Sequence, residues 1–331
     1  MTKGIQRSND FFATCLAVAA MLLFFSASLS GQALSNDFSP LMNRPANVPQ
    51  DYVITPFGYF HPSCVQMVTE GHMLLADGRI QHPNGTIDAA PACFYPHFTS
   101  TGLMLPVDLK GRSGIHAPTI SGWLESVSAT TTSSYGKISA TWIVPPAPTS
   151  NDGQLLYFFP GFEDVNNVIS IVQPVMQWGV GYAGGGAYWL VASWNCCIDG
   201  MTWYSPLLDV NVGDTIRGSI VPTCKPGTTN CPTWNVVSAD VTTGTKTTLA
   251  KTSADGQVWN WAFGAVSEDY GVMKCSDFPA NYGLTFTVQL YDQSGTLITA
   301  PSWQGTQWIT NPIPKCRYGT KIANTRETVN Y

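Results

Sequence analysis

Apolar and polar residues alternate along several short stretches in the second half of the chain. Between 137 and 144, Ile138, Ala140 and Trp142 are separated by polar or small residues, and a similar alternation occurs at 284–291. A period of two residues is typical of half-buried antiparallel strands. Clusters of Gly, Pro, Asn and Asp separate these stretches. The pattern predicts an all-β fold: a two-sheet antiparallel β-sandwich of the concanavalin-like or jelly-roll type with a small N-terminal extension.

The N-terminus has the pattern of a secretory signal peptide. Lys3 and Arg7 precede an apolar run at 11–25, and small residues follow that run. We therefore expect a secreted, extracellular protein that has no membrane attachment once the signal is removed. The expected organisation is a signal peptide (1–33), an N-terminal extension or pro-segment with a disulfide (34–116), the β-sandwich domain (117–311) and a C-terminal tail (312–331).

Eight cysteines lie beyond the signal region, and an even number in a secreted chain predicts disulfides. Cys224 and Cys231 flank a turn-rich loop, which makes them the simplest pair. The adjacent Cys196 and Cys197 point to opposite faces of a strand, so each is expected to have its own partner. The expected pairs are Cys224 with Cys231, Cys64 with Cys93, and Cys196 and Cys197 separately with Cys275 and Cys316.

A zinc site is the alternative for the N-terminal cysteines. His61 and Cys64 have the spacing His-x2-Cys, and Cys93 and His97 have the spacing Cys-x3-His. Secretion favours a disulfide between the two cysteines, so no metal site is expected.

The charge and the histidine content of the chain limit the classes of function that it can have. Charged residues make up only 11% of the chain and the net charge is −5, which gives no basic footprint for nucleic acid. All five histidines lie at or before His116. Residues 117–331 therefore cannot supply the imidazole of a serine or cysteine triad or a histidine-based metal centre.

A carboxylate–amide pair remains as the candidate catalytic chemistry. Gln173 lies in an apolar strand-like run, and Glu268 shares its predicted strand face with Val266 and Tyr270. Both side chains are costly to bury without partners, and apolar surroundings should raise the pKa of Glu268. Pro174 removes a backbone donor, which predicts an edge, a bulge or a strand end beside Gln173.

Several motifs over about residues 117–311 resemble the eqolisin family of glutamic peptidases. Glu163 precedes Gln173 by ten residues, which is similar to the spacing of the family's acidic residue and catalytic Gln. Phe159, Glu163 and Asp269 stand where the family has Trp, Asp and Trp. The neprosin-type peptidases are more distantly similar and have Glu in place of Gln173. The matching segments are Ser121-Gly-Trp123, Gly136–Pro145, Phe159–Glu163, Ser267–Asp269 and Asp277–Phe286.

The resemblance implies a secreted, acid-acting endopeptidase in which Gln173 and Glu268 activate a water molecule. It also implies protein or peptide substrates and no metal or cofactor. We expect a monomer. The candidate substrate-binding residues are Phe159, Glu163, Trp178 and Asp269.

Two other functions fit the same residues. A glycoside hydrolase would use Glu163 and Glu268 as paired carboxylates. A non-catalytic, lectin-like sandwich would bind sugars through aromatic residues such as Trp178, Trp189, Trp194 and Trp203.

Overall fold

The computed structural model describes residues 44–75, 77–89, 93–105, 123–166, 170–198 and 200–331, without the side chains of 197 and 198. The predicted signal peptide lies outside these residues. The fold is all-β, as predicted, and the only helical elements in the described ranges are the 3-10 turns Pro62–Cys64 and Cys275–Asp277. No helix in this part of the chain has the length and apolarity needed to cross a membrane. Strands are numbered β1 to β22 along the chain.

One layer of the sandwich, the front sheet, carries the candidate site. It has nine strands, nearly all of them antiparallel. Eight lie side by side in one order, and the ninth, β14, pairs with β12 outside that order. In spatial order its strands are β20 (Gln304–Gln307), β8 (Trp123–Thr130), β18 (Trp261–Tyr270), β10 (Leu155–Glu163), β11 (Ile171–Gly181), β12 (Gly184–Ile198), β13 (Met201–Tyr204) and β3 (Val65–Met67), with β14 at Leu208–Val210.

The second layer, the back sheet, also has nine strands. The alternating stretches of the sequence become its strands β9 (Tyr135–Ile143) and β19 (Gly283–Asp292), which confirms the period-two prediction. In spatial order its strands are β21 (Gly319–Ala323), β22 (Arg326–Asn330), β19 (Gly283–Asp292), β9 (Tyr135–Ile143), β15 (Thr215–Pro222), β16 (Thr233–Asp240), β17 (Thr245–Ser253), β4 (Met73–Leu74) and β5 (Ile80–Gln81).

The main core fills the space between the two sheets. Trp142 and Phe286 of the back sheet pack with a ring separation of 5.0 Å, and Phe158 and Trp189 of the front sheet belong to the same cluster. Strand β10 differs from the alternating strands because all nine of its residues are buried. Both of its faces are therefore covered, which explains its nearly continuous apolar sequence.

The N-terminal residues cover the outer side of the front sheet. Four short strands form a separate small sheet in the order β1, β2, β6, β7. Their bounds are β1 (Val53–Thr55), β2 (Gly58–Phe60), β6 (His97–Phe98) and β7 (Met104–Leu105).

Neighbouring N-terminal strands join the sandwich itself. Strand β3 pairs in parallel with β13, and β4 pairs in parallel with β17. The described residues from 44 onwards form one compact unit. At the other end of the chain, β21 and β22 extend the back sheet, so the sandwich continues past residue 311.

Three disulfides connect described residues. Cys64–Cys93 and Cys224–Cys231 are bonded as predicted. The prediction for the other cysteines was wrong, because Cys275 bonds to Cys316 across 41 positions of sequence. Cys196 is a buried free thiol on β12. It lies in the middle of the front sheet under the N-terminal residues, where no other described cysteine meets it.

Candidate active site

Gln173 and Glu268 lie on the same face of the front sheet, two strands apart. Gln173 is on β11, Glu268 is on β18, and β10 runs between them. Val175 and Val266, which share their strand faces, belong to an apolar cluster that also contains N-terminal residues. We call this outer side of the front sheet the groove face. The placement of the two side chains on one face is the first requirement for a shared site.

The backbone ladder is interrupted beside Gln173. Pairing of β10 with β11 stops after Phe158–Met176 and resumes at Phe162–Val172. Pro160 and Pro174 lie in the interrupted stretch and supply no N–H donors. The pairing of β10 with β18 shifts at the same place, between Phe159 and Gly161. The irregularity predicted from Pro174 is therefore present, although β11 is a central strand.

Gln173 reaches across to the N-terminal residues. Its side chain is fully buried, and Nε2 donates a hydrogen bond of 2.7 Å to the backbone carbonyl of Pro56. Oε1 is buried and has no hydrogen-bond partner among the described residues. The amide is thus held by a backbone carbonyl, which is the group that a peptide substrate would present.

Glu268 is almost fully buried and lies against the same turn. The Tyr270 hydroxyl donates to Oε1, whereas Oε2 is buried and has no hydrogen-bond partner among the described residues. The indole N–H of Trp123 and the backbone N–H of Gly58 lower the pKa of the carboxyl group from nearby. Burial raises the pKa of Glu268 to about 8, although the Tyr270 hydroxyl counteracts part of this effect. The negative charge of Asp269 raises the pKa further. The raised pKa confirms the sequence-based expectation.

The turn between β1 and β2 therefore hydrogen-bonds to Gln173 and lies beside Glu268. It consists of Thr55, Pro56, Phe57 and Gly58, and it is held by a hydrogen bond of 3.1 Å from the Thr55 hydroxyl to the Gly58 carbonyl. Tyr59, just after the turn, packs edge-on against Tyr270 with a ring separation of 5.7 Å. The groove face is thus covered directly above the candidate site.

Glu163 and Phe159 also face the groove side. Both are fully buried on β10, and Phe159 packs edge-on against Trp123. Neither carboxylate oxygen of Glu163 has a hydrogen-bond partner in the part of the chain that the structure describes. Burial raises the pKa of Glu163 well above its ordinary value, and the charge of Glu268 adds to the effect. Burial and the nearby charge of Glu268 thus both favour the neutral form of Glu163.

Trp178 and Asp269 point away from the groove. Trp178 belongs to the core between the sheets, where it packs against Trp189 at 5.2 Å. Asp269 follows Glu268 directly and so lies on the opposite face of β18, where the Ser267 hydroxyl donates to it at 2.6 Å. Burial raises its pKa to about 8, and Glu125 contributes. The structure does not bring these two side chains into the site.

Several residues of the site were not predicted from the sequence. Tyr157 and Cys196 interact with Glu268, and Thr55 of the covering turn faces the Cys196 thiol. The sequence Thr-Pro-Phe-Gly does indicate a turn. Nothing in it indicates that the turn would lie over strands more than a hundred residues away.

The structure bears on two alternatives from the sequence analysis, the zinc site and the sugar-binding surface. Cys64 and Cys93 are disulfide-bonded, so they cannot serve as thiolate ligands of zinc. Within the described residues, no group of three or more His, Cys, Asp or Glu could hold a metal ion. The tryptophans considered for sugar binding are all at most 4% exposed, so they offer no platform to a glycan. They are Trp178, Trp189, Trp194 and Trp203.

Comparison with known proteins gives structural likeness only. No protein-family model matches the chain, and no curated protein matches its sequence. Among solved structures, the chain is similar to Scytalido-glutamic peptidase with a peptide-based transition state analog, at 17% identity and a TM-score of 0.46. It is also similar to SCP-B, a member of the eqolisin family of peptidases in a complex with the tripeptide Ala-Ile-His, at 17% identity and a TM-score of 0.43. Each likeness covers 64% of this chain and 98% of the other chain.

Proposed function

We propose that the protein is a secreted, acid-acting endopeptidase that hydrolyses peptide bonds with Gln173 and Glu268. One observation carries the proposal: a turn of polypeptide backbone lies over both side chains and accepts a hydrogen bond from Gln173. The amide of Gln173 donates to a backbone carbonyl, and a backbone N–H faces the carboxylate of Glu268. A site that engages both polar groups of a polypeptide backbone has the elements needed to bind a scissile peptide.

The chemistry follows from the charges of the two groups once the turn has left the site. Ionised Glu268 takes a proton from a water molecule, and the water oxygen attacks the carbonyl carbon of the substrate. Nε2 of Gln173 donates to the oxyanion that forms. Glu268 then gives the proton to the nitrogen as the carbon–nitrogen bond breaks. The products are a carboxylic acid and an amine, and both catalytic residues return to their starting state.

Acid operation is consistent with this mechanism. Since Gln173 does not titrate, one carboxyl group must serve as both base and acid. Burial is the main cause of the raised pKa of Glu268 in the covered site. Opening the groove to water removes much of that burial and returns the pKa towards the acid range. The three disulfides among the described residues agree with an extracellular environment.

Phe159 and Glu163 are proposed to contribute to substrate binding. Both face the groove beside the interrupted ladder, and a neutral Glu163 can donate a hydrogen bond to a substrate carbonyl. Trp178 and Asp269 are left out of the proposed site because they face the inter-sheet core.

The test is hydrolysis of denatured casein at acid pH by the purified protein. New peptides should appear, and Glu268→Gln should remove the activity. Glu163→Gln should leave measurable hydrolysis, since Glu163 takes no part in proton transfer. Cleavage of a polysaccharide in place of casein, abolished by Glu163→Gln, would contradict the proposal and favour a glycoside hydrolase.

A further inference from the structure

Two histidines lie opposite each other at the edge of the back sheet. Strands β4 and β5 form an antiparallel pair in which Met73 lies opposite Gln81. The same register brings His72, just before β4, opposite His82, just after β5. Nε2 of His72 is 2.9 Å from Nδ1 of His82, and the ring centroids are 4.6 Å apart. The β4–β5 hairpin therefore positions the two imidazoles as a pair.

The backbone of each histidine is held by a turn. The N–H of His72 donates a hydrogen bond of 3.1 Å to the carbonyl of Thr69. The N–H of His82 donates a hydrogen bond of 2.8 Å to the carbonyl of Thr86. The spacing of the two rings is thus set by the local fold, which is the condition for a preorganised ligand pair.

The outer nitrogens of the two rings both contact groups that can only accept a hydrogen bond. Nδ1 of His72 is 3.2 Å from the backbone carbonyl oxygen of Glu70, and Nε2 of His82 is 2.7 Å from the carboxylate of Asp88. Each outer nitrogen must therefore carry the N–H. Since a neutral imidazole has one N–H, the two inner nitrogens both present lone pairs. Lone pairs that face each other at 2.9 Å need a cation between them.

This arrangement is the one that proteins use for histidine ligands of metal ions. A metal-ligating histidine donates its other N–H to a carboxylate or a backbone carbonyl, which fixes the ring and its free nitrogen. His82 has the carboxylate and His72 has the carbonyl. A tetrahedral zinc ion with Zn–N bonds of about 2.0–2.1 Å holds two ligand nitrogens about 3.3 Å apart. Widening the pair by roughly 0.4 Å would therefore admit the ion.

We propose that His72 and His82 bind a zinc ion, with water completing its coordination. Imidazole nitrogen is a favoured ligand of Zn²⁺. The site has two protein ligands, fewer than the groups of three or more considered above. His82 and Asp88 are partly exposed to solvent, which gives the ion and its water ligands access. The ion cross-links the two ends of the β4–β5 hairpin and takes no part in the hydrolysis proposed for the front sheet.

Zinc binding to the purified protein tests the ligands directly. The protein is treated with EDTA, freed of the chelator and titrated with Zn²⁺ at neutral pH by isothermal calorimetry. The parent should bind one more Zn²⁺ per chain than either His72→Gln or His82→Gln. His61→Gln is the matched control, because His61 also lies near a carboxylate, that of Asp51 at 3.8 Å, but its ring is stacked on Tyr95. This variant should bind zinc as the parent does.

The contribution of Asp88 gives a second, graded test. Asp88→Asn should weaken zinc binding by about 10- to 100-fold, since it replaces the carboxylate that orients His82. Asp77→Asn is the control, because Asp77 belongs to the same hairpin but accepts from Arg79 at 2.7 Å. It should leave the affinity unchanged.

Hydrogen exchange reports where the ion acts. Zinc should slow amide exchange in the segment 77–88 at least tenfold in the parent and should have no such effect in His82→Gln. Far-ultraviolet circular dichroism checks that each variant is folded.

Three results would overturn the inference. Equal zinc stoichiometry in the parent, His72→Gln and His82→Gln would leave a shared proton as the only cation between the rings. Equal affinity of Asp88→Asn and the parent would contradict the role of the carboxylate. Unchanged exchange in 77–88 on addition of zinc would place any bound zinc elsewhere. No measurement here uses casein hydrolysis, so the outcome is independent of the proposed function.

Discussion

The side-chain amide of Gln173 donates a 2.7 Å hydrogen bond to the backbone carbonyl of Pro56, a residue 117 positions earlier in the chain. A buried glutamine in a central strand requires such a partner. Here the partner belongs to the turn that also faces Glu268. The contact thus joins the proposed catalytic amide to the turn that covers the groove face.

Replacement of Gln173 by Glu should make the activity depend on the protonation state of the new carboxyl group. A neutral carboxylic acid can donate a hydrogen bond to an oxyanion, whereas a carboxylate cannot and would repel it. Gln173→Glu should retain activity at the most acid pH and lose it as the new carboxyl ionises. The pH profile of casein hydrolysis checks this, and equal activity of this variant and the parent across the profile would contradict the role of Gln173 as a donor.

Tyr270 is expected to position Glu268 and to set its pKa. The Tyr270 hydroxyl donates to Glu268 and lowers the pKa of that carboxyl. Tyr270→Phe should therefore raise the pKa, shift the acid limb of kcat/KM to higher pH and reduce kcat by roughly tenfold. Tyr291→Phe is the control, because Tyr291 is on the back sheet and its hydroxyl contacts Gln289. A loss of kcat in Tyr270→Phe without a shift of the acid limb would indicate a structural role only.

The stability of the sandwich should decrease as pH rises. Burial raises the pKa of Glu125 and of Glu327 to about 7 and that of Asp269 to about 8. Each folded-state pKa is above its unfolded value, so the stabilising effect is complete below about pH 4 and is lost as pH rises through 7 to 8. The melting temperature should drop by several degrees from pH 4 to pH 8.

Glu327→Gln provides the control for this pH dependence. Glu327 is fully buried, and neither of its carboxylate oxygens has a described hydrogen-bond partner. The neutral amide removes one of the groups that must ionise, so the melting temperature should fall less steeply with pH. A melting temperature that rises from pH 4 to pH 8 in the parent would contradict this account.

The two disulfides of the sandwich should differ in their contribution to stability. Cys275–Cys316 closes a separation of 41 positions, whereas Cys224–Cys231 closes only 7. By loop entropy, replacing both cysteines of the longer loop with serine should cost about 4 kcal/mol, against roughly 2 kcal/mol for the shorter loop. Urea unfolding of the two double variants measures the difference, and equal losses would contradict the entropic explanation.

The fold was predictable where each strand has one buried face. Strands β9 and β19 alternate because the back sheet packs on one side only, and their sequences show that period directly. Strand β10 is covered on both sides and carries no alternation. The sequence of β10 therefore cannot show which of its residues face the groove.

The strand faces of the two proposed catalytic residues could be predicted from the sequence, whereas their surroundings could not. Alternation placed Glu268 and Tyr270 on one face of a strand, and the same rule places Asp269 on the other face, away from the groove. Trp178 follows Gln177 and likewise faces the inter-sheet core. The covering turn depends on contacts between residues far apart in sequence, such as Pro56 with Gln173, which no local pattern encodes.

A Cβ atom at Gly58 would lie 2.2 Å from the backbone oxygen of Phe98, so Gly58→Ala should displace the covering turn from the groove face. The proposed dyad is tested most directly in this variant. Rates of casein hydrolysis at acid pH are compared after adding Gln173→Ala, Glu268→Gln or the control Glu327→Gln. The first two should lower the rate at least 100-fold, since each removes a group that acts in the transition state. Glu327→Gln should leave the rate unchanged. Full activity with either Gln173→Ala or Glu268→Gln would contradict the proposed mechanism.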